Sequence, residues 1–271
     1  MNHSSQFSPQ AAAQKPVALV TGAGRGIGRA CALALAGAGF AVAVNDLESE
    51  ATPPRRAELE AELAAAGGES LPVPGDVSDL GFHEELLARV MRRWGRLDCL
   101  VNNAGVAGLR RGDLLEVTPE SYDRCMAVNT RAVFFLSQAA ARQMIAAGPG
   151  GGGHRSIINI TSSNARAVSI ARGEYCVSKA ASAMTTQLFA ARLAGHGVGV
   201  YEVRPGIIAT EMTKPAQARY DALIAAHAVP AERWGYPEDV ARVVAAMAEG
   251  RLGYTVGQAV TVDGGLTMPR F

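Results

Sequence analysis

The stretch GEYCVSKAA, Gly173 to Ala181, places Tyr175 and Lys179 four residues apart. On a helix that spacing puts both side chains on one face, where they can act on one ligand. A phenol titrates near 10 in water, and an adjacent ammonium favours the phenolate. The phenol then comes closer to the range useful for acid–base work at neutral pH. Lysine is scarce here: only Lys15, Lys179 and Lys214 occur among 26 basic residues. A compact ammonium with three donors can also hold a sugar hydroxyl, for which the flat guanidinium fork is a poorer substitute. Upstream, SIINITSSNA carries Ser162 and Ser163 just past an apolar run. Hydroxyls there either cap a turn or face a ligand crevice. Taken alone the Tyr–Lys pair is a weak motif, since chance can set a lysine after one of six tyrosines.

A second constellation stands near the N-terminus. VALVTGAGRGIGRA reads as strand, glycine turn and helix, with Gly22, Gly24, Gly26 and Gly28 in the turn. The strict GxGxxG spelling fails, because Ile27 holds its last position. The physical logic is the same: residues without Cβ let backbone approach a pyrophosphate, and a helix N-terminus offers unpaired N–H donors. Asp46 ends the next predicted strand, 18 residues after Gly28. That is close to the spacing of a carboxylate that binds ribose hydroxyls, and such an acid repels a 2′-phosphate. Asp46 therefore favours NAD over NADP. Arg25, a cation inside the turn, argues the other way, though Asp46 would contact the discriminating hydroxyl directly.

The rest of the chain supplies elements to hold these groups. Apolar runs at 16–20, 41–46, 97–103, 156–161, 197–205 and 258–265 alternate with helical patterns. Runs apolar on both faces predict strands buried between two helical layers. Ser78 or Asp79 is the predicted N-cap of the third helix, and Gly67–Gly68 a C-cap of the second. Thr118, Pro119 and Glu120 open a long helix running to about residue 147. The expectation is an α/β fold, a single-domain doubly wound parallel sheet of about seven strands with helices on both faces. Residues 1–14 read as a loose tail, and GPGGGGH (148–154) as a connector rather than a phosphate loop, because it leads from helix to strand.

Composition excludes several classes. The 271 residues are 48% hydrophobic and 19% charged with net charge +1, which suits a compact soluble protein and gives no reason to expect nucleic acid or an anionic membrane as partner. No apolar run reaches membrane-spanning length, and the N-terminus lacks the pattern of a signal peptide. A cytoplasmic location follows. Cys31, Cys99, Cys125 and Cys176 form no CxxC pair, and no metal site is expected. Neither GxSxG nor HExxH occurs, so hydrolase chemistry lacks support.

Taken together the motifs resemble those of the classical short-chain dehydrogenases/reductases, from about Lys15 to Met268. TGAGRGIG resembles the family's cofactor turn, NNAG (102–105) its fourth-strand motif, YCVSK its YxxxK, RPGIIAT (204–210) its PG motif and VDGG (262–265) its C-terminal signature. The resemblance implies roles. The family's serine precedes its tyrosine by 13 residues, which selects Ser162 to bind the substrate oxygen. Tyr175 would move the proton, while Lys179 would lower its pKa and bind the nicotinamide ribose. Asn129 would support a proton-relay water. Gly22, Arg25, Gly26, Ile27 and Gly28 would form the cofactor turn, with Asp46 on the ribose. Asp76 and Val77 would hold adenine, and Asn102, Ala104 and Gly105 would form a wall beside the adenosine ribose. Ile208 and Thr210 would orient the nicotinamide carboxamide, and Pro205 and Gly206 of the PG motif would also bind the cofactor. The implied reaction is hydride transfer between NAD, or NADP, and a carbonyl or alcohol carbon. A catalytically silent NAD-binding sensor is the alternative, against which the intact tetrad argues. The chain is similar in general appearance to 3-oxoacyl-carrier-protein reductases, but Asp46 fits better an NAD-linked dehydrogenase of alcohols, polyols, sugars or hydroxyacyl compounds. Residues 211–234 align with the variable substrate lid, where Met212, Tyr220, Leu223 and Trp234 either line the pocket or pack the lid. A homo-oligomer, dimer or tetramer, is implied as well.

Overall fold

The computed structural model describes residues 15–49, 52–148 and 153–270. The expected tail and most of the glycine-rich connector lie outside these. Strand β1 (Val17–Thr21) leads through the glycine turn into α1 (Gly26–Gly37), then β2 (Ala41–Asn45), α2 (Thr52–Ala65), β3 (Ser70–Pro72) and α3 (Phe82–Trp94). The second half runs β4 (Cys99–Asn102), α4 (Pro119–Met126), α5 (Val133–Ala146), β5 (Arg155–Ile160), α6 (Gly173–Leu193), β6 (Val198–Pro205), α7 (Gln217–Ala225), α8 (Pro237–Ala248) and β7 (Ala259–Val262). All seven strands pair in parallel, in the order β3-β2-β1-β4-β5-β6-β7. The chain reverses direction across the sheet between β1 and β4, which opens a crevice at their carboxyl ends.

Alternation along the strands explains the continuous apolar runs. In β1, Ala18 and Val20 face one core with Cys31 and Leu35 of α1 and Val240 and Val244 of α8. Val17 and Leu19 face the other, with Leu86 and Val90 of α3 and Leu136 of α5. Each fully buried leucine contributes about 1.5–3 kcal/mol relative to exposure.

Three local departures from the sequence reading have physical causes. Strand β3 was absent from the apolar runs because it is three residues long and ends on Pro72, yet it pairs with Val42, Ala43 and Val44. The N-cap of α3 is Gly81, not Ser78 or Asp79. The Asp79 carboxylate instead accepts the Gly81 N–H at 2.9 Å, closing a turn just before the helix. The long helix opens as expected, with Thr118 Oγ1 accepting the Ser121 N–H at 3.2 Å. It is then interrupted by a π-helical segment, Ala127–Ala132, that contains Asn129. Such segments recur at functional sites.

Gly28 is required by space. A Cβ there would lie 2.1 Å from the Gly22 carbonyl oxygen and 2.4 Å from Asn103 Nδ2. Gly28→Ala is expected to lose about 1–3 kcal/mol, the usual cost of overpacking, read as a lower urea midpoint at unchanged slope.

Candidate active site

The crevice is a cleft of about 1260 Å³ running along the carboxyl ends of the strands. Its floor near β1 is the glycine turn. Gly22 (φ 63°) and Gly26 (φ 53°) hold left-handed backbone conformations that favour glycine. The N-terminus of α1 follows Arg25 without any side-chain cap and without an acid in its first turn. That end offers free N–H donors and the positive end of the helix dipole to an anion.

Asp46 stands directly over this turn. A Cβ on Gly24 would meet Asp46 Oδ2 at 2.0 Å, so the bare glycine makes room for the carboxylate. Arg25 is ion-paired with Glu211, which also reaches Arg55 at 3.4 Å. The cation in the turn therefore has a carboxylate partner already. Asp76 and Val77 follow β3, and Asn45 Nδ2 steadies the preceding segment by donating to the carbonyls of Val73 (2.9 Å) and Gly75 (3.1 Å). His83 holds the Val77 carbonyl at 2.7 Å, and burial keeps its imidazole below its ordinary pKa.

The β4 end differs from the expectation in one residue. Asn102 is buried and does not border the cleft. Its Nδ2 donates to Ser137 Oγ at 2.9 Å and Asn159 Oδ1 at 2.8 Å, tying β4 to β5 and α5. The residue facing the turn is Asn103, whose Nδ2 donates to the carbonyls of Thr21 (2.9 Å) and Gly22 (3.0 Å). Strand alternation explains this: successive side chains of NNAG point to opposite sides. The doubled asparagine was the available signal. Ala104 and Gly105 do line the cleft, whereas Gly28 lies beneath the turn.

At the other end Ser162, Tyr175 and Lys179 converge. Ser162 and Ser163 follow β5, and Ser162 Oγ accepts the Asn164 N–H at 3.1 Å. One turn of α6 carries both other groups: Lys179 Nζ lies 5.8 Å from the Tyr175 ring centroid and donates to the Ile160 carbonyl at 2.9 Å. Burial pushes the Tyr175 phenol up; a hydrogen bond with Ser162 and the Arg172 charge pull it back. Burial also drives Lys179 down to about 8. In this structure burial dominates the phenol, and the groups that lower it are Ser162 and Arg172 rather than the lysine that the sequence suggested. Asn129 is fully buried behind the cleft, its Oδ1 accepting the Val106 N–H at 2.8 Å and its Nδ2 donating to Val106 O and Ser178 Oγ. Asn129 Oδ1 and Lys179 Nζ both stand 3.3 Å from the place a Cβ on Gly105 would occupy.

Pro205, Gly206, Ile208 and Thr210 line the cleft after β6. Gly206 is pressed against Asp263, where a Cβ would lie 2.5 Å from its Cβ, so the PG and VDGG motifs meet. In the lid Met212, Tyr220 and Leu223 line the cleft. Trp234 does not: it packs edge-to-face on Tyr220 and donates Nε1–H to Asp221 at 2.7 Å.

A parallel doubly wound sheet with a dinucleotide-type turn at one end of its crevice and a buried Ser–Tyr–Lys group at the other defines a nicotinamide-type oxidoreductase class. Comparison with known proteins narrows it. A family model described as Enoyl-(Acyl carrier protein) reductase matches residues 22–267. A sorbitol dehydrogenase from Cereibacter sphaeroides is 36% identical over 258 residues, covering 92% of this chain and 96% of the relative. A 2-dehydro-3-deoxy-D-gluconate 5-dehydrogenase from Dickeya dadantii is 35% identical, covering 93% and 95%. The crystal structure of a 3-oxoacyl-[acyl-carrier protein] reductase from Brucella melitensis in complex with NAD superposes with TM-score 0.90 at 42% identity, covering 96% of this chain and 100% of that one. The chain belongs to the short-chain dehydrogenase/reductase family of oxidoreductases.

Proposed function

We propose that this chain transfers a hydride between NAD and a carbonyl or alcohol carbon, with Tyr175 as general acid and base. The observation that carries the reading is the Ser162–Tyr175–Lys179 group, buried in the same cleft as the glycine turn and Asp46. The fit to a dinucleotide rests on the uncapped α1 N-terminus and on Asp46 over Gly24. Nicotinamide, when bound, supplies the two-electron acceptor or donor.

The residues divide the remaining work. Ser162 and Tyr175 offer hydrogen bonds to the substrate oxygen where charge develops. In oxidation Tyr175 removes the hydroxyl proton, and in reduction it supplies one. Lys179 holds the nicotinamide ribose and keeps positive charge beside the phenol, and Asn129 fixes the π-helical segment and the loop at Val106 behind it. Asp46 takes the adenosine ribose, with Asp76 and Val77 toward the adenine and Ala104 and Gly105 as the adjacent wall. Pro205, Gly206, Ile208 and Thr210 frame the carboxamide. Residues 15–271 form a single domain with residues 211–234 as its substrate lid. Substrates are drawn from small alcohols, polyols, sugars and their acids, or 3-oxoacyl thioesters; a polyol, a sugar acid and a 3-oxoacyl thioester are named for relatives.

The partner set is a small-molecule substrate and further copies of this chain, as dimer or tetramer; exposed Phe135 on α5 and Met184 and Leu188 on α6 support the oligomer. Among the described residues no helix is long and apolar enough to cross a membrane. We read the enzyme as cytoplasmic.

Two measurements test the reading. Formation of reduced nicotinamide is followed across alcohols, polyols, sugar acids and hydroxyacyl thioesters; turnover of none would favour the silent sensor. Asp46→Ser is expected to move the NAD/NADP preference toward NADP by about tenfold or more, since the repelling charge is gone. An unchanged ratio of kcat/KM values would remove Asp46 from cofactor selection.

A further inference from the structure

The charges lining the cleft are sorted by end. Its acids are Asp46 and Asp76, beside β2 and β3, and Glu211, which is ion-paired with Arg25. Around Ser162 and Tyr175 the lining charges are all positive: Arg111, Arg124, Arg166, Arg172 and Arg219, besides Lys179. Elsewhere arginines such as Arg29, Arg96, Arg204 and Arg233 each face a carboxylate within ion-pair distance. Among the described residues none of the five at the substrate end has such a partner.

One of them contacts Tyr175 and a second contacts the lid residue Tyr220. The Arg172 guanidinium carbon lies 5.6 Å from the Tyr175 ring centroid. Arg111 donates to Tyr220 Oη at 3.3 Å and lies 5.9 Å from that ring's centroid. Arg111, Arg172, Tyr175 and Tyr220 all line the one cleft, so the two guanidinium–tyrosine pairs belong to one locality. Arg172 also occupies the N-cap position of α6, the positive end of a 21-residue helix. A cation is unfavourable there and caps no N–H. Arg172 packs over the Tyr175 ring and shares the start of α6 with the Glu174 carboxylate, yet among the described residues no acid lies within ion-pair distance of it, and a bound anion would supply one.

We propose that the substrate carries an anionic group, carboxylate or phosphate, gripped by Arg172 and Arg111 beside the carbon that exchanges hydride. Guanidinium forks bind either anion through paired N–H donors. This rests on the hydride-transfer reading above and names its substrate class. Arg166, Arg219 and Arg124 border the same region and strengthen the field that draws an anion in. Arg172 is then a specificity residue, and the proton chemistry remains with Tyr175.

The test compares D-glucitol (neutral), D-gluconate (carboxylate), D-glucitol 6-phosphate (phosphate) and the neutral thioester S-(3-hydroxybutyryl)-N-acetylcysteamine, each with NAD. One of the two anions is expected to exceed both neutral compounds by about 100-fold in kcat/KM, and which one it is identifies the anion. Arg172→Leu should collapse that anion-to-neutral ratio by about 100-fold, chiefly through KM, and Arg172→Lys should restore part of it. Taking the ratio cancels any general effect of the variant on Tyr175. A neutral compound turned over as well as the anions, or a ratio unchanged in Arg172→Leu, overturns the proposal. If none of the four is turned over, calorimetry of the two anions with NAD-loaded protein separates the two ideas. Binding lost in Arg172→Leu keeps the anion site while the hydride-transfer reading falls, and no binding to the unmodified protein overturns the anion site.

Discussion

Tyr175→Phe lowers kcat by about 10³-fold or more while NAD affinity stays within about threefold. The substitution removes one oxygen atom and leaves the ring, which contacts Arg172 and Lys179 by its face. Tyr175 is buried, so an alternative proton donor from solvent has poor access. The loss should fall on kcat, because the hydroxyl's bond to the substrate oxygen strengthens only as charge develops. Calorimetry with NAD and steady-state rates on the same preparation separate the two effects. Retained turnover within tenfold would remove Tyr175 from the proton step.

Lys179→Met separates activity from stability. Activity is expected to fall by about 100-fold or more, through loss of the ribose contact and of the charge beside the phenol. Stability moves the opposite way. Burial holds Lys179 at about 8, against an ordinary 10.5. Below pH 8 the fold carries a buried ammonium that the unfolded chain exposes to water, which costs on the order of 3 kcal/mol. Between about 8 and 10.5 the folded protein sheds its proton before the unfolded chain does. Over that window the penalty shrinks, and above it both states are neutral. The variant should therefore be more stable than the parent at pH 7, and its advantage should diminish as pH rises toward 10. Urea midpoints at several pH values check this. A variant less stable at pH 7 would mean that the Nζ bond to Ile160 O outweighs desolvation.

The overall architecture could be read from the sequence because parallel strands buried on both faces leave continuous apolar runs, and the glycine turn and YxxxK are local spellings. What was hidden depended on tertiary placement. Strand β3 has too few residues to show a period and is recruited by the exposed edge of β2. The π-helical segment around Asn129 is a packing outcome with no compositional mark. Asn102 and Asn103 are neighbours of one type, and only the strand's pleat decides which reaches the glycine turn. Trp234 has the chemistry of a pocket wall, but its indole N–H finds Asp221 and its ring finds Tyr220. The arginine ring at the substrate end comes from loops after β4 and β5 and from α4 and α7, so no window of sequence contains it.

Hydride is expected to pass directly between substrate and nicotinamide under the control of Tyr175. An alcohol substrate deuterated at the carbinol carbon tests it when the nicotinamide product is analysed by mass spectrometry. One deuterium in the reduced nicotinamide, formed by Tyr175→Phe at least about 10³-fold more slowly than by the unmodified enzyme, is the predicted result. Reduced nicotinamide without deuterium, or labelled product formed at equal rates by both proteins, would contradict that transfer.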